Sequence, residues 1–270
     1  MSYTLKVNHL KFNTKSQGKG DTFIWAHGLL SNMAVEDLSD FYHWQNFPHD
    51  INLLRYDARG HGKTESSFVP SKYHWQNLAN DMIAIGNEHK VEKFIAGGQS
   101  MGCATTLYTA LLAPTRVKGI ILMNPPVAWQ ARAEQATFYN KLAKIGGLMG
   151  GNILSKIMAA KVDRILPNWL TKAKPCFSKV ILAGIKPMKR RTLFNLFKGA
   201  ALTDLPSKDA LKKLKVPTLI LAWEGDPSHP VATATVLGEL MPHAKVHIAD
   251  SYEDIKCWPL LICDFVKKFS

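Results

Sequence analysis

Ser100 stands in the run Gly98-Gln99-Ser100-Met101-Gly102, which has the spacing G-x-S-x-G. A serine hydroxyl attacks a carbonyl when three other things converge on it: a base to take its proton, an acid to orient that base, and N–H donors for the oxyanion. Lys93 to Gly97 reads as a buried strand and Cys103 to Ala113 as a helix, so the serine falls on a sharp strand-to-helix turn that exposes its hydroxyl and demands small neighbours. The helix start then offers the Met101 N–H and a favourable dipole to a developing anion. A second donor is expected from Leu29. Phe23-Ile24-Trp25-Ala26 reads as a strand, and His27-Gly28-Leu29 follows it, where glycine permits a tight turn. An ordinary strand-end turn is the plainer alternative.

The acid and base are harder to place. Asp226 follows the strand-like run Thr218 to Trp223, and Pro230 suits the start of the next helix. Gly225-Asp226-Pro227 is also good turn chemistry, so Asp226 is either an orienting acid or a turn aspartate. Of ten histidines, His27 and His61 belong to turns expected to pack and hydrogen-bond. His9, His43, His49, His74 and His89 lie in elements whose ends point elsewhere, and His243 and His247 flank or occupy the last strand. His229 remains, three residues beyond Asp226 at the same strand end, as either the base or a helix-start residue facing solvent. If it is the base, Asp226 is close in sequence for orienting it, and Asp250 or Asp254 offers a further partner.

These residues need a scaffold. Strand-like runs at Tyr3–Phe12, Thr22–Ala26, Asn52–Tyr56, Lys93–Gly97, Lys118–Met123, Thr218–Trp223 and Lys245–Ala249 alternate with helical patterns near Val35–Trp44, Trp75–His89, Cys103–Ala113, Val231–Leu240 and Ile255–Phe269. The runs are short, continuous and apolar, as in strands covered on both faces, which predicts an α/β fold with a mostly parallel central sheet and helices on both faces. The rhythm breaks between Pro126 and Pro206, where helical periodicity and several glycines predict a helical lid over residues 127–205, inserted into a core made of 1–126 and 206–270. Of the net charge of +13, most lies in that insertion, which holds fourteen lysines and arginines against three acids. Such a face either attracts acidic substrates or an anionic surface, or is simply solvated. It lacks the aromatic interleaving of a nucleic-acid platform. Trp129, at the start of the insertion, is placed either against the substrate or as lid packing, and Arg132 is a further pocket candidate.

Gly62-Lys63-Thr64 resembles the end of a phosphate-binding loop, but the position of its first glycine is Asp57, so nucleotide binding is rejected. Four scattered cysteines form no C-x-x-C pair, which implies neither a disulfide framework nor a zinc site and suggests a reducing, cytoplasmic setting. Cys257 and Cys263 are expected to pack as small apolar residues. Met1 to Val7 alternates like a strand rather than a signal peptide, and no stretch is apolar and long enough to span a membrane.

Four motifs in order, His27-Gly28, Asp57-Ala58-Arg59-Gly60-His61-Gly62, the run around Ser100, and Gly225 to Pro230, make the chain resemble the α/β-hydrolase superfamily along essentially its whole length. The resemblance implies a nucleophile elbow at Ser100, an oxyanion hole from Leu29 and Met101, an orienting acid at Asp226, and a structural turn at Asp57 to Gly62. His27 and Gly28 are then expected beside the substrate. One feature departs from the family. Its histidine usually lies between the last strand and last helix, and here that loop, Asp250 to Ile255, has none, with Tyr252 near the expected place. The expected function is a lidded serine esterase acting on a small acyl substrate, without metal or organic cofactor. A fold-retaining binding protein without catalysis, and a lyase on the same scaffold, are the alternatives.

Overall fold

The computed structural model describes residues 2–39, 41–161 and 166–270. Eight strands form one sheet in the order β1-β2-β4-β3-β5-β6-β7-β8. They are β1 (Ser2–Val7), β2 (Leu10–Gln17), β3 (Thr22–Ala26), β4 (Asn52–Tyr56), β5 (Phe94–Gln99), β6 (Val117–Met123), β7 (Thr218–Trp223) and β8 (Ala244–Ala249). From β4 to β8 all neighbours pair in parallel, while β2 pairs antiparallel with both β1 and β4 and so runs against the other strands. The run expected as one strand, Tyr3 to Phe12, is instead a hairpin. Asn8 and His9 both adopt positive φ, at 47° and 67°, which makes the two-residue turn whose twist suits a hairpin.

The sheet is covered on both faces because its strands alternate two apolar sets. Ile24, Leu54 and Ile220 join one core with Met82 of α2 (Trp75–Glu88), Leu107 of α3 (Met101–Leu112) and Leu237 of α9 (Val231–Leu240). Their strand neighbours Phe23, Leu53 and Leu219 join the other core with Ile262 and Val266 of α11 (Trp258–Phe269). This period of two places apolar side chains on both faces of each strand. The last helical run divides into α10 (Tyr252–Lys256) and α11 because Ser251 caps α10 through Asp254 N–H, while Pro259 opens α11. The first helical run likewise stops early. α1 covers Met33–Ser39, and Trp44 lies in a separate short 3-10 turn after His43 in the left-handed region. Cys257 is exposed and Cys263 half-buried, so neither is a core residue as expected. Cys257 stands just before α11 and Cys263 within it.

Between β6 and β7 the described residues hold helices only: α4 (Arg132–Ala159), α5 (Asn168–Ala173), α6 (Phe177–Ala183), α7 (Arg190–Ala201) and α8 (Lys208–Leu211). α4 kinks at Gly150, whose φ of 79° is outside the helical range. The next residue, Gly151, lets α4 approach the segment after α6, since a side-chain carbon there would lie 2.0 Å from the Ile185 carbonyl oxygen. A third apolar cluster, with Leu142, Leu182, Leu193 and Phe197, joins α4, α6 and α7 and reaches Leu30 of the core.

Candidate active site

Ser100 sits between β5 and α3 with φ 54° and ψ −109°, a backbone conformation costly for any residue with a side chain. The surroundings hold it there. Its N–H donates to the Met123 carbonyl at 3.0 Å, and its carbonyl accepts from Cys103 N–H at 2.9 Å. Gly98 and Gly102 are required by contact. A side-chain carbon on Gly102 would lie 2.0 Å from the Ala26 carbonyl oxygen, and one on Gly98 would meet the Gly102 backbone at 2.5 Å. α3 is thereby pressed against the end of β3, which brings the His27-Gly28-Leu29 loop beside the serine. Gly28 leaves 3.5 Å between its missing side chain and Ser100 Cβ. Met101, the first residue of α3, has no carbonyl partner within the helix for its N–H.

The two turn histidines fix this loop rather than meet a ligand. His27 Nε2 accepts from Ala58 N–H at 2.9 Å, so Nδ1 carries the proton and donates to Gly28 O at 2.8 Å. His61 Nε2 accepts from Leu30 N–H at 3.2 Å, and its Nδ1 donates to Arg59 O at 3.0 Å. Both rings are neutral. Burial lowers the His27 pKa, and burial with His27 alongside pushes His61 down to about 3. Asp57 closes the turn that carries His61, accepting from the N–H groups of Met33 and Lys63 at 2.8 and 2.9 Å.

β7 delivers the other half of the site. After Trp223 the chain turns at Gly225, with φ 81°, and folds Asp226, Ser228 and His229 into a single turn before α9. Asp226 is buried, and its Oδ1 accepts from the N–H groups of Ser228 at 2.8 Å and His229 at 3.2 Å. Its Oδ2 accepts from the Trp223 indole at 3.0 Å and from His229 Nδ1 at 2.7 Å. His229 Nε2 then lies 2.8 Å from Ser100 Oγ. With Nδ1 donating to the carboxylate, Nε2 is bare and accepts the serine hydroxyl proton. Burial alone would raise the Asp226 pKa, but His229, the Trp223 indole and the Ser228 N–H outweigh it and hold the carboxyl below its usual value.

The closeness of Asp226 and His229 in sequence is therefore no obstacle, because one turn aims the carboxylate back at the ring. Asp254 bonds Ser251 and the Asp250 N–H at an exposed helix start instead. Tyr252 sits on α10, its ring faced by the ammonium groups of Lys174 and Lys256. Sequence reasoning missed the Trp223 indole as partner of Asp226. A tryptophan at a strand end carries no pattern that singles it out.

Ser100, His229 and Asp226 open on a mainly apolar cavity of about 160 Å³. Gly28, Leu29 and Trp223 line its catalytic side, and Phe177, Ile181 and Ile185 from α6 and its end line the other. Its floor is polar. Tyr42 donates to Gln99 Oε1, and the buried Glu36 accepts from the Trp25 indole at 2.8 Å. His27 and Trp129 are outside this lining. Trp129 donates its backbone N–H to Asp204 at 2.9 Å and its indole to Pro206 O at 3.0 Å, tying the two ends of the helical insertion together. Arg132 does the same work, donating to the carbonyls of Val127, Ala200 and Thr203. No cluster of metal-ligating side chains occurs among the described residues.

Residues 21–148 match a family model described as the alpha/beta hydrolase fold. Over 265 residues the chain is 23% identical to 3-oxoadipate enol-lactonase 2 of Acinetobacter baylyi, spanning 92% of this chain and 88% of that protein. Among solved structures it is similar to a thermophilic esterase from Thermogutta terrifontis, with TM-score 0.84, 17% identity and coverage of 100% and 99% of the two chains. It is also similar to the enol-lactonase from Burkholderia xenovorans, with TM-score 0.79, 18% identity and coverage of 98% and 100%.

Proposed function

We propose that this chain, which has the α/β-hydrolase fold, is a serine hydrolase cleaving esters or related acyl bonds through an acyl-enzyme. The observation that carries this reading is the continuous contact from Asp226 through His229 to Ser100, at 2.7 and 2.8 Å. Ser100 Oγ attacks the carbonyl carbon while His229 Nε2 takes its proton. The N–H groups of Leu29 and Met101 receive the oxyanion. His229⁺ is stabilised by Asp226 and returns the proton to the leaving oxygen, releasing the alcohol. A water molecule then attacks the acyl-Ser100 ester, losing a proton to His229; the acyl–Oγ bond breaks, His229⁺ returns that proton to Ser100 Oγ, and the carboxylic acid leaves. The relatives named as esterase and enol-lactonase support action on an ester-like bond.

The helices between β6 and β7 serve as a cap, and α6 sets the length of the acyl site. A cavity of about 160 Å³ is close to the size that holds one benzene ring, about 150 Å³, so a small apolar acyl group fits it. The reading of a non-catalytic binder rested on the loop histidine that is missing near Tyr252. It is weakened by the contact His229 makes with Ser100.

Hydrolysis of p-nitrophenyl esters of graded length tests the proposal. The butyrate is expected to exceed the decanoate in kcat/KM by at least about tenfold, and Ser100→Ala to abolish both. Turnover that persists in Ser100→Ala, or a wild type without any turnover, contradicts it.

A further inference from the structure

The outer face of the cap combines cations with exposed apolar side chains. α4 and α7 run antiparallel in contact, as three points along them show. Lys198 Nζ donates to Asn140 Oδ1 at 2.8 Å, a side-chain carbon on Gly147 would lie 3.2 Å from Phe194, and one on Gly150 would lie 3.4 Å from Arg190. Beside this seam each helix carries a stripe at i, i+3, i+7 spacing: Lys141, Lys144 and Leu148 on α4, and Arg191, Phe194 and Lys198 on α7. Leu148 is 74% exposed and Phe194 37%. Lys141, Lys144 and Arg191 are exposed as well. Between them the two helices carry one acid, Glu134, in the first turn of α4 and two turns before Lys141 on the same face.

We infer that this face docks on the surface of an anionic lipid bilayer. The choice of occupant follows from the pairing of chemistries. A soluble polyanion would satisfy the cations and leave Leu148 and Phe194 in water. A bilayer surface takes both, with acidic headgroups meeting the cations and the headgroup–acyl boundary accepting the apolar side chains. No helix among the described residues is long and apolar enough to cross a membrane, so the contact lies on the bilayer. The inference does not depend on the catalytic reading, because binding is measured without turnover.

The test is co-sedimentation of the full chain with vesicles of phosphatidylcholine alone or with about 30% phosphatidylserine. Binding is expected to the mixed vesicles and to fall steeply as salt rises from about 0.1 to about 0.5 M. At about fivefold for each cation, the reversal Lys141→Glu/Lys144→Glu/Arg191→Glu should lower the partition coefficient by more than about a hundredfold. Leu148→Ser/Phe194→Ser should lower it by about tenfold without removing the preference for phosphatidylserine. The serine pair and the salt series stand as tests even if the charge reversals impair folding, which circular dichroism reads directly. Wild type left in the supernatant, equal binding to both vesicle types, or binding undiminished in Leu148→Ser/Phe194→Ser would overturn the inference.

Discussion

Asp226 and His229 depend on each other through a single turn. The carboxylate accepts the His229 backbone N–H and faces its ring Nδ1, so backbone and side chain orient the base together. In Asp226→Asn the fold should survive, because the amide oxygen still accepts the turn N–H groups. The bare Nε2 is no longer enforced, and kcat is expected to fall by about 10³ to 10⁴, read from steady-state ester hydrolysis. The depressed carboxyl of Asp226 stabilises the fold above the ordinary aspartate range, and that contribution is lost as pH falls through its lower folded value. Glu36 behaves in the opposite sense. Burial pushes its pKa from 4.5 up to about 7, against the pull of Arg55 and the Trp25 indole. The unfolded chain gives up this proton near 4.5 while the folded chain keeps it to about 7, so stability declines as pH rises across that window. Glu36→Gln removes the decline. Urea unfolding should show the variant gaining about 3 kcal/mol on wild type between pH 4.5 and pH 8.

At the scale of elements, the elbow is a strained joint clamped by close contacts. Gly102→Ala would drive a carbon into the Ala26 carbonyl, so α3 must lift from β3 and the oxyanion donors separate. A loss of about 2 kcal/mol or more in chemical denaturation is expected, with kcat reduced at least about a hundredfold. A variant as stable and active as wild type would mean that α3 and β3 do not meet this closely. This joint was legible in the sequence because its small residues answer a steric demand that leaves a spacing. β3, β4, β7 and α9 were legible to the residue for a related reason, since their apolar runs end where polar turns begin. The hairpin at Asn8-His9 was not. Its two turn residues lack glycine, and the strand pattern continues through them unbroken. Sequence could not choose between the two readings of Trp129, or place Arg132, because it shows that they open the insertion but not that Asp204, Thr203 and Ala200 return beside them.

For the molecule as a whole, the fold positions two strand ends, and each brings one part of the chemistry. β5 presents the proposed nucleophile and β7 the proposed acid and base together, so in this account the turn after β8 carries no catalytic duty. The position of Tyr252 is then taken up in packing against Lys174 and Lys256, under a helix start held by Ser251. The sequence supports His229 only by elimination among ten histidines. Its distance to Ser100 depends on Gly225 and on the Asp226 turn, which no spacing rule reports. The cavity was invisible for the same reason, since it is built from α6, β7 and the loop after β3, far apart in the chain.

The rate at which a fluorophosphonate modifies Ser100, followed by intact-protein mass spectrometry, reads the activation of the hydroxyl without needing the natural substrate. Wild type should acquire a single adduct on Ser100. His229→Ala should acquire it at least about a thousandfold more slowly, with an unchanged fold by circular dichroism. Equal rates in the two proteins would contradict His229 as the base.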